Sequence, residues 1–134
     1  MSAIRITLGA FFCAVLALPG ATLPAAAGNY EFLAAPEITL NRVYRVDKST
    51  GEVGACQYGL RDRGEKSVGE TLCYPAGPGA GPQGPGEYGL VHSRHEKEGG
   101  VFRVNLREGT MSICYVLVDE DKRRESVVCT PPGK

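Results

Sequence analysis

The run VYRVDKSTGEVGAC (Val43 to Cys56) returns 58 positions later as VFRVNLREGTMSIC (Val101 to Cys114). Each copy goes on to a second cysteine in a C-x-P-x-G ending, CYPAG from Cys73 and CTPPG from Cys129. The same offset links Tyr30-Glu31-Phe32-Leu33 to Tyr88-Gly89-Leu90-Val91, so the copies run over about residues 30–77 and 88–133. A unit that recurs with its cysteine pair in place is a tandem repeat, and duplication explains the shared offset more simply than chance.

Within a copy the text reads as four short strands. Beta-branched and aromatic residues gather in short runs bounded by Gly, Pro, Asp and Asn, and helical periodicity is weak. The first strand is YEFLAA or YGLVHS and the second is VYRV or VFRV. Asp47 to Gly51, and Asn105 to Gly109, then form a tight turn: the Asx side chain bonds its own backbone and glycine takes the positive φ. The third strand, VGACQYGL or MSICYVLV, carries the first cysteine. A charged turn follows, RDRGEK or DEDKRR, and the fourth strand, ETLCY or SVVCT, carries the second cysteine before proline ends the pairing.

The cysteine spacing tests this reading. With Cys56 opposite Cys73 the hairpin midpoint falls at Gly64-Glu65, and with Cys114 opposite Cys129 it falls at Asp121-Lys122, both within the charged turns. Cross-strand Cα atoms lie about 4.5–5.5 Å apart in antiparallel pairs, within disulfide reach. The repeat therefore favours one bridge per copy among the three possible connectivities, each stabilising by about 3 kcal/mol in the chain-entropy model. In the second copy Ile113, Tyr115, Val116, Leu117 and Val118 are apolar on both faces. That predicts a central strand covered twice, with Gln57 to Leu60 of the first copy nearer an edge.

Between the copies lies PAGPGAGPQGPG (Pro75 to Gly86), in which nine of twelve residues are Pro or Gly. It reads as a spacer that packs few side chains, rather than as a polyproline docking segment, because glycines interrupt it. One meander cannot bury its apolar face alone. The expected fold is all-β, with two four-stranded antiparallel meanders packed as a sandwich or an eight-stranded barrel. Four-stranded units are also propeller blades, but two blades close no propeller without oligomerisation. The boundaries are 1–27 leader, 28–77 first repeat, 78–87 Pro/Gly-rich linker and 88–134 second repeat, the repeats forming one domain.

The leader is read from Arg5, the apolar stretch LGAFFCAVLAL and the small residues Ala25-Ala26-Ala27, in the order of a secretory signal. Its apolar core is short for a membrane span, which needs about 20 residues, although an uncleaved anchor is the alternative. Removing it takes away Cys13 and leaves four of the five cysteines, an even number for an oxidising compartment. It also takes Arg5 from the 15 basic residues, leaving 14 against 15 acidic, a net charge of about −1. That balance draws neither nucleic acid nor an anionic membrane surface.

Chemistry-bearing motifs are scarce. There is no G-x-S-x-G elbow and no phosphate-cradling glycine loop, and the only serine beside a histidine is Ser93. Cysteine catalysis needs a free thiolate, whereas the four mature cysteines are expected to be bridged. His92 and His95, with Glu96 and Glu98, form a weak candidate metal set, because residues three apart on a strand face opposite ways. Arg45 and Arg103 are the candidate binding residues. The repeat keeps an arginine between two valines, and paired guanidinium forks suit a carboxylate or phosphate. The structural alternative is that each lies across a tyrosine or pairs with a local acid.

The pattern R-V-[DN]-x-x-[TE]-G-x-[VM]-x-x-C is carried by Arg45, Asp47, Thr50, Gly51, Val53 and Cys56, and again by Arg103, Asn105, Gly109, Met111, Ser112 and Cys114. It resembles an element of small exported proteobacterial proteins that read R-L-D-T-x-T-G-x-V-S-x-C. Here Val replaces Leu, Glu108 stands for Thr, and the second cysteine comes later. The resemblance covers roughly a quarter of the chain and implies export and bridged strands, with no activity attached. The expectation is a periplasmic or secreted, non-catalytic binding module without cofactor that contacts another envelope or secreted protein. Alternatives are an inhibitor of a secreted hydrolase, inserting the Pro/Gly loop or a hairpin tip, and a small metal-dependent enzyme using His92 and His95.

Overall fold

The computed structural model describes residues 28–119, 121 and 124–134; the leader read in residues 1–27, Cys13 included, and part of the second charged turn lie outside them. Eight strands follow in chain order: β1 Tyr30–Ala34, β2 Arg42–Asp47, β3 Val53–Arg63, β4 Lys66–Tyr74, β5 Tyr88–Val91, β6 Val101–Asn105, β7 Thr110–Asp119 and β8 Arg124–Cys129. They form two antiparallel meanders, β1-β2-β3-β4 and β5-β6-β7-β8. Both sheets are open, so the barrel alternative fails and the sandwich-like stack of two layers holds.

The turns follow the residues that encode them. Asp47 Oδ1 accepts from the Ser49 and Thr50 amides at 2.8 and 3.0 Å, and Gly51 closes the turn at φ 74°. Asn105 Oδ1 accepts from Arg107 and Glu108 at 3.1 and 3.2 Å, with Gly109 at φ 68°. Only a residue without Cβ adopts that backbone freely. β3 runs further than its apolar text, because Arg61 pairs with Glu70 and Ser67 bonds Asp62 across the hairpin. The ladder ends at Arg63 opposite Lys66, leaving Gly64-Glu65 as a two-residue turn.

Each meander holds its own disulfide. Cys56 lies opposite Cys73 with Cα atoms 4.0 Å apart, and Cys114 lies opposite Cys129 at 4.1 Å. The bridges nevertheless occupy different sides of their sheets. In the first sheet Tyr44, Val46, Val53 and Ala55 point into the core, and the cysteines point out. In the second, Val101, Cys114, Val127 and Cys129 point in, together with Tyr88, Leu90 and Arg103.

The repeat therefore stacks face to back. Val101 is 0% exposed, whereas its counterpart Val43 is 42% exposed; Val53 is 0% exposed and its counterpart Met111 49%. Adjacent strand positions alternate between faces, so equivalent residues of the two copies meet opposite environments. Contacts between β1 and β5 and between β4 and β8 show that the strands of the two layers stack edge over edge in the same order.

Two expectations need correction. β3 and β7 are both interior strands of their sheets, so the Gln57 segment is not at an edge. Nor is β7 covered twice, because Tyr115 and Leu117 remain exposed on its outer side. The apolar doubling of β7 reflects a sheet whose second face stays open.

The Pro/Gly segment is more than a spacer. The Val127 amide donates to Pro75 O at 2.9 Å, Gly77 donates to Val127 O at 2.7 Å, and Cys129 donates to Pro78 O at 3.0 Å. These bonds continue the edge of β8, whose unpaired groups would otherwise invite another chain. The segment then crosses to the first sheet, where Val53 donates to Ala80 O at 2.8 Å and the Ala80 side chain is fully buried. Gln83 and Gly86 donate to Thr50 O and Ser49 O. The connection is a strap that binds both layers.

Candidate functional site

The outer face of the first sheet carries exposed apolar side chains around a concavity. Its rows follow from the register: Phe32, Arg45 and Gly54 lie side by side, and Ala34, Val43, Cys56 and Cys73 form the next row. Phe32 is 63% exposed, and Tyr30, Val43 and Tyr58 are exposed around it. Gly54 leaves no side chain between Arg45 and β4, and the resulting groove of about 530 Å³ is lined by Phe32, Val43, Arg45, Glu52 and the disulfide. The Arg45 guanidinium lies 4.8 Å from the Tyr30 ring centre, as the structural alternative for this arginine expected.

Arg103 is placed elsewhere. It is 3% exposed, between the layers, where Nη1 donates to Gly51 O at 3.0 Å and Nη2 to Ser112 Oγ at 3.4 Å. Burial pulls its pKa down, and the neighbouring Tyr88 acts in the opposite sense. It borders a polar hollow of about 150 Å³ with Asn105, Glu108 and Thr110. The two candidate arginines thus do not converge, and no shared forked site forms. One ties the layers together and the other faces solvent.

Tyr44 is the second buried polar group across the layers. Its hydroxyl donates to Gly99 O at 2.7 Å, and burial raises its pKa above the ordinary 10.0, partly offset by Arg42. Glu31 completes the lacing, accepting from the Leu90 amide at 2.9 Å. Sequence reasoning missed Glu31 and Tyr44, because neither carries a motif; their roles arise only when β1 and β2 lie against the second sheet.

His92 and His95 follow β5 in an exposed loop, where His92 Nδ1 lies 2.9 Å from Ser93 O and Ser93 Oγ accepts from the His95 amide. Among the described residues, no group of three or more His, Cys, Asp or Glu is assembled that could hold a metal ion. All four cysteines of the fold are engaged in disulfides, which suits an oxidising compartment outside the cytoplasm. No helix of the described residues is long and apolar enough to cross a membrane.

Comparison with known proteins returns no matching family model, no matching curated protein and no matching solved structure.

Proposed function

We propose that the chain is an exported, non-catalytic interaction module of the periplasm or extracellular space, and that it binds a partner protein through the outer face of its first sheet. The observation that carries this reading is the groove around Arg45. Exposed Phe32 and Val43 border a disulfide-backed floor, with exposed Tyr30 beside Arg45. Contiguous apolar surface rimmed by polar groups marks protein contacts, and Tyr, Phe and Arg are the residues enriched in them. The leader text and the resemblance to small exported proteobacterial proteins support export.

Photo-crosslinking in cells tests it. A photoreactive residue in place of Phe32 or Val43 is expected to capture a protein adduct in the envelope or secreted fraction. The same group in place of Ile38, exposed on the β1–β2 loop, is the control. Absence of any adduct from both face positions removes the reading.

A further inference from the structure

The groove has a template for its occupant within the same molecule. The inward face of the second sheet is the repeat counterpart of the first sheet's outer face: Tyr88 matches Tyr30, Leu90 matches Phe32, Val101 matches Val43, and Arg103 matches Arg45. The first set is buried against the inward face of the first sheet. That inward face, through Tyr44, Val46, Val53 and Ala55, is in turn the counterpart of Phe102, Val104, Met111 and Ile113 on the second sheet's outer side. Both halves of an interface that already exists inside the chain are therefore repeated, unpaired, at its two ends.

We infer that the partner is a second copy of this chain, stacked head to tail, with the first sheet's outer face of one molecule on the second sheet's outer face of the next. The inference rests on reading the first sheet's outer face as a protein interface, and goes further by naming the occupant. A heterologous contact of this kind uses two different patches, so it propagates into a ring or an open stack instead of ending at a symmetric dimer.

The internal junction predicts the contacts of the external one. Arg103 donates to Gly51 O, and the Tyr88 ring approaches to 2.8 Å from the position a Cβ at Gly51 would take. The corresponding pair across molecules is Arg45 with the Gly109 carbonyl, and Tyr30 with the same turn. Gly109 adopts φ 68°, close to the 74° of Gly51, and nothing stands within 4 Å of the position its Cβ would take. The receiving turn is formed and open. On the same outer side Met111, Tyr115, Leu117 and Val91 are exposed and apolar. The turn carries Arg107 and Glu108, one charge of each sign, as the internal turn carries Lys48 ahead of Glu52. Not every internal contact is repeated, since Phe102 replaces Tyr44 and Gly89 replaces Glu31, so the external junction is expected to be the weaker one.

Sedimentation velocity on the oxidised mature chain, with Phe32→Asp and Met111→Asp variants, tests this. Both positions are exposed, and retention of both disulfides and of the wild-type melting temperature controls for folding. Wild type is expected to form larger species as concentration rises, whereas each variant alone remains monomeric. An equimolar mixture of the two should give a one-to-one dimer and nothing larger, because each supplies the intact face that the other lacks. Wild type that stays monomeric through the high micromolar range overturns the inference. So does a Met111→Asp variant that associates like wild type, since that describes a symmetric contact through the first sheet alone. Crosslinking from Phe32 separates the two readings: an adduct with a different protein, beside a monomeric wild type, retires self-stacking and leaves the binding face standing.

Discussion

Arg45 and Arg103 hold the same position of the duplicated unit, yet the guanidinium of Arg45 lies over Tyr30 on an open face while that of Arg103 is buried against Gly51 O. The first meander turns its cysteine-bearing side to solvent and the second turns the same side to the core. Much of the molecule's physical behaviour follows from this inversion.

The first consequence is unequal stability. Arg103→Ala leaves the Gly51 carbonyl and Ser112 Oγ without their donor and opens space between the layers, at an expected cost of about 2–4 kcal/mol. Release of a desolvated charge trims that cost without cancelling it. Arg45→Ala loses only an exposed ring contact, at about 0.5–1 kcal/mol. Urea unfolding of the two variants should separate them clearly, and equal effects would contradict the face-to-back arrangement.

The disulfides should differ in accessibility for the same reason. On the outer face Cys56 is half-buried and its partner Cys73 exposed, whereas Cys114 is completely buried and Cys129 nearly so. Thiolate attack requires access to sulfur. Mild reduction of the native protein is expected to open Cys56–Cys73 first and to yield a one-bridge intermediate. Alkylation followed by peptide mass mapping reads which pair was lost.

Within the strap, glycines are not interchangeable. Gly79 has φ 74°, and a Cβ there would collide with the carbonyl oxygen of Cys129. Gly84 has nothing within 4 Å of its Cβ position. Gly79→Ala should therefore cost about 2–4 kcal/mol through backbone strain and displaced β8 pairing, while Gly84→Ala changes stability by less than about 0.5 kcal/mol. Thermal unfolding checks both. Deleting Gly77 to Gly84 removes the buried Ala80 and is expected to unfold the chain, so that deletion cannot isolate an inhibitory loop.

Tyr44 sets an alkaline limit. Burial holds its folded-state pKa above the unfolded 10.0, so its contribution is complete below 10.0 and is lost as pH rises through the folded value. Tyr44→Phe should flatten this alkaline fall. At neutral pH it should cost about 1 kcal/mol for the lost hydrogen bond to Gly99 O. Denaturant midpoints of both proteins across that pH range decide the matter.

Much of the architecture was legible because its determinants are local. Asp47, Asn105, Gly51 and Gly109 specify their turns through bonds no more than a few residues long. The spacing of the cysteines located both hairpin tips, since antiparallel register has to be symmetric about a turn. The strap was misread because Pro and Gly report what a segment's own side chains cannot do. They are silent about backbone amides and carbonyls, which here bond Val127, Cys129 and Val53. Tyr44 and Glu31 were missed because their partners, Gly99 and Leu90, are more than 50 residues away.

The amino-acid sequence by itself determined two strand-turn units, the residues of their tight turns and a cysteine pair placed for one bridge in each. Only the tertiary structure decided which side of each unit faces the core. Both sides of these strands are apolar enough to be buried, as Val43 beside Tyr44 and Val101 beside Phe102 show, so alternation alone leaves the choice open. That choice depends on the layer lying across the gap, and here one copy buries the side that the other exposes.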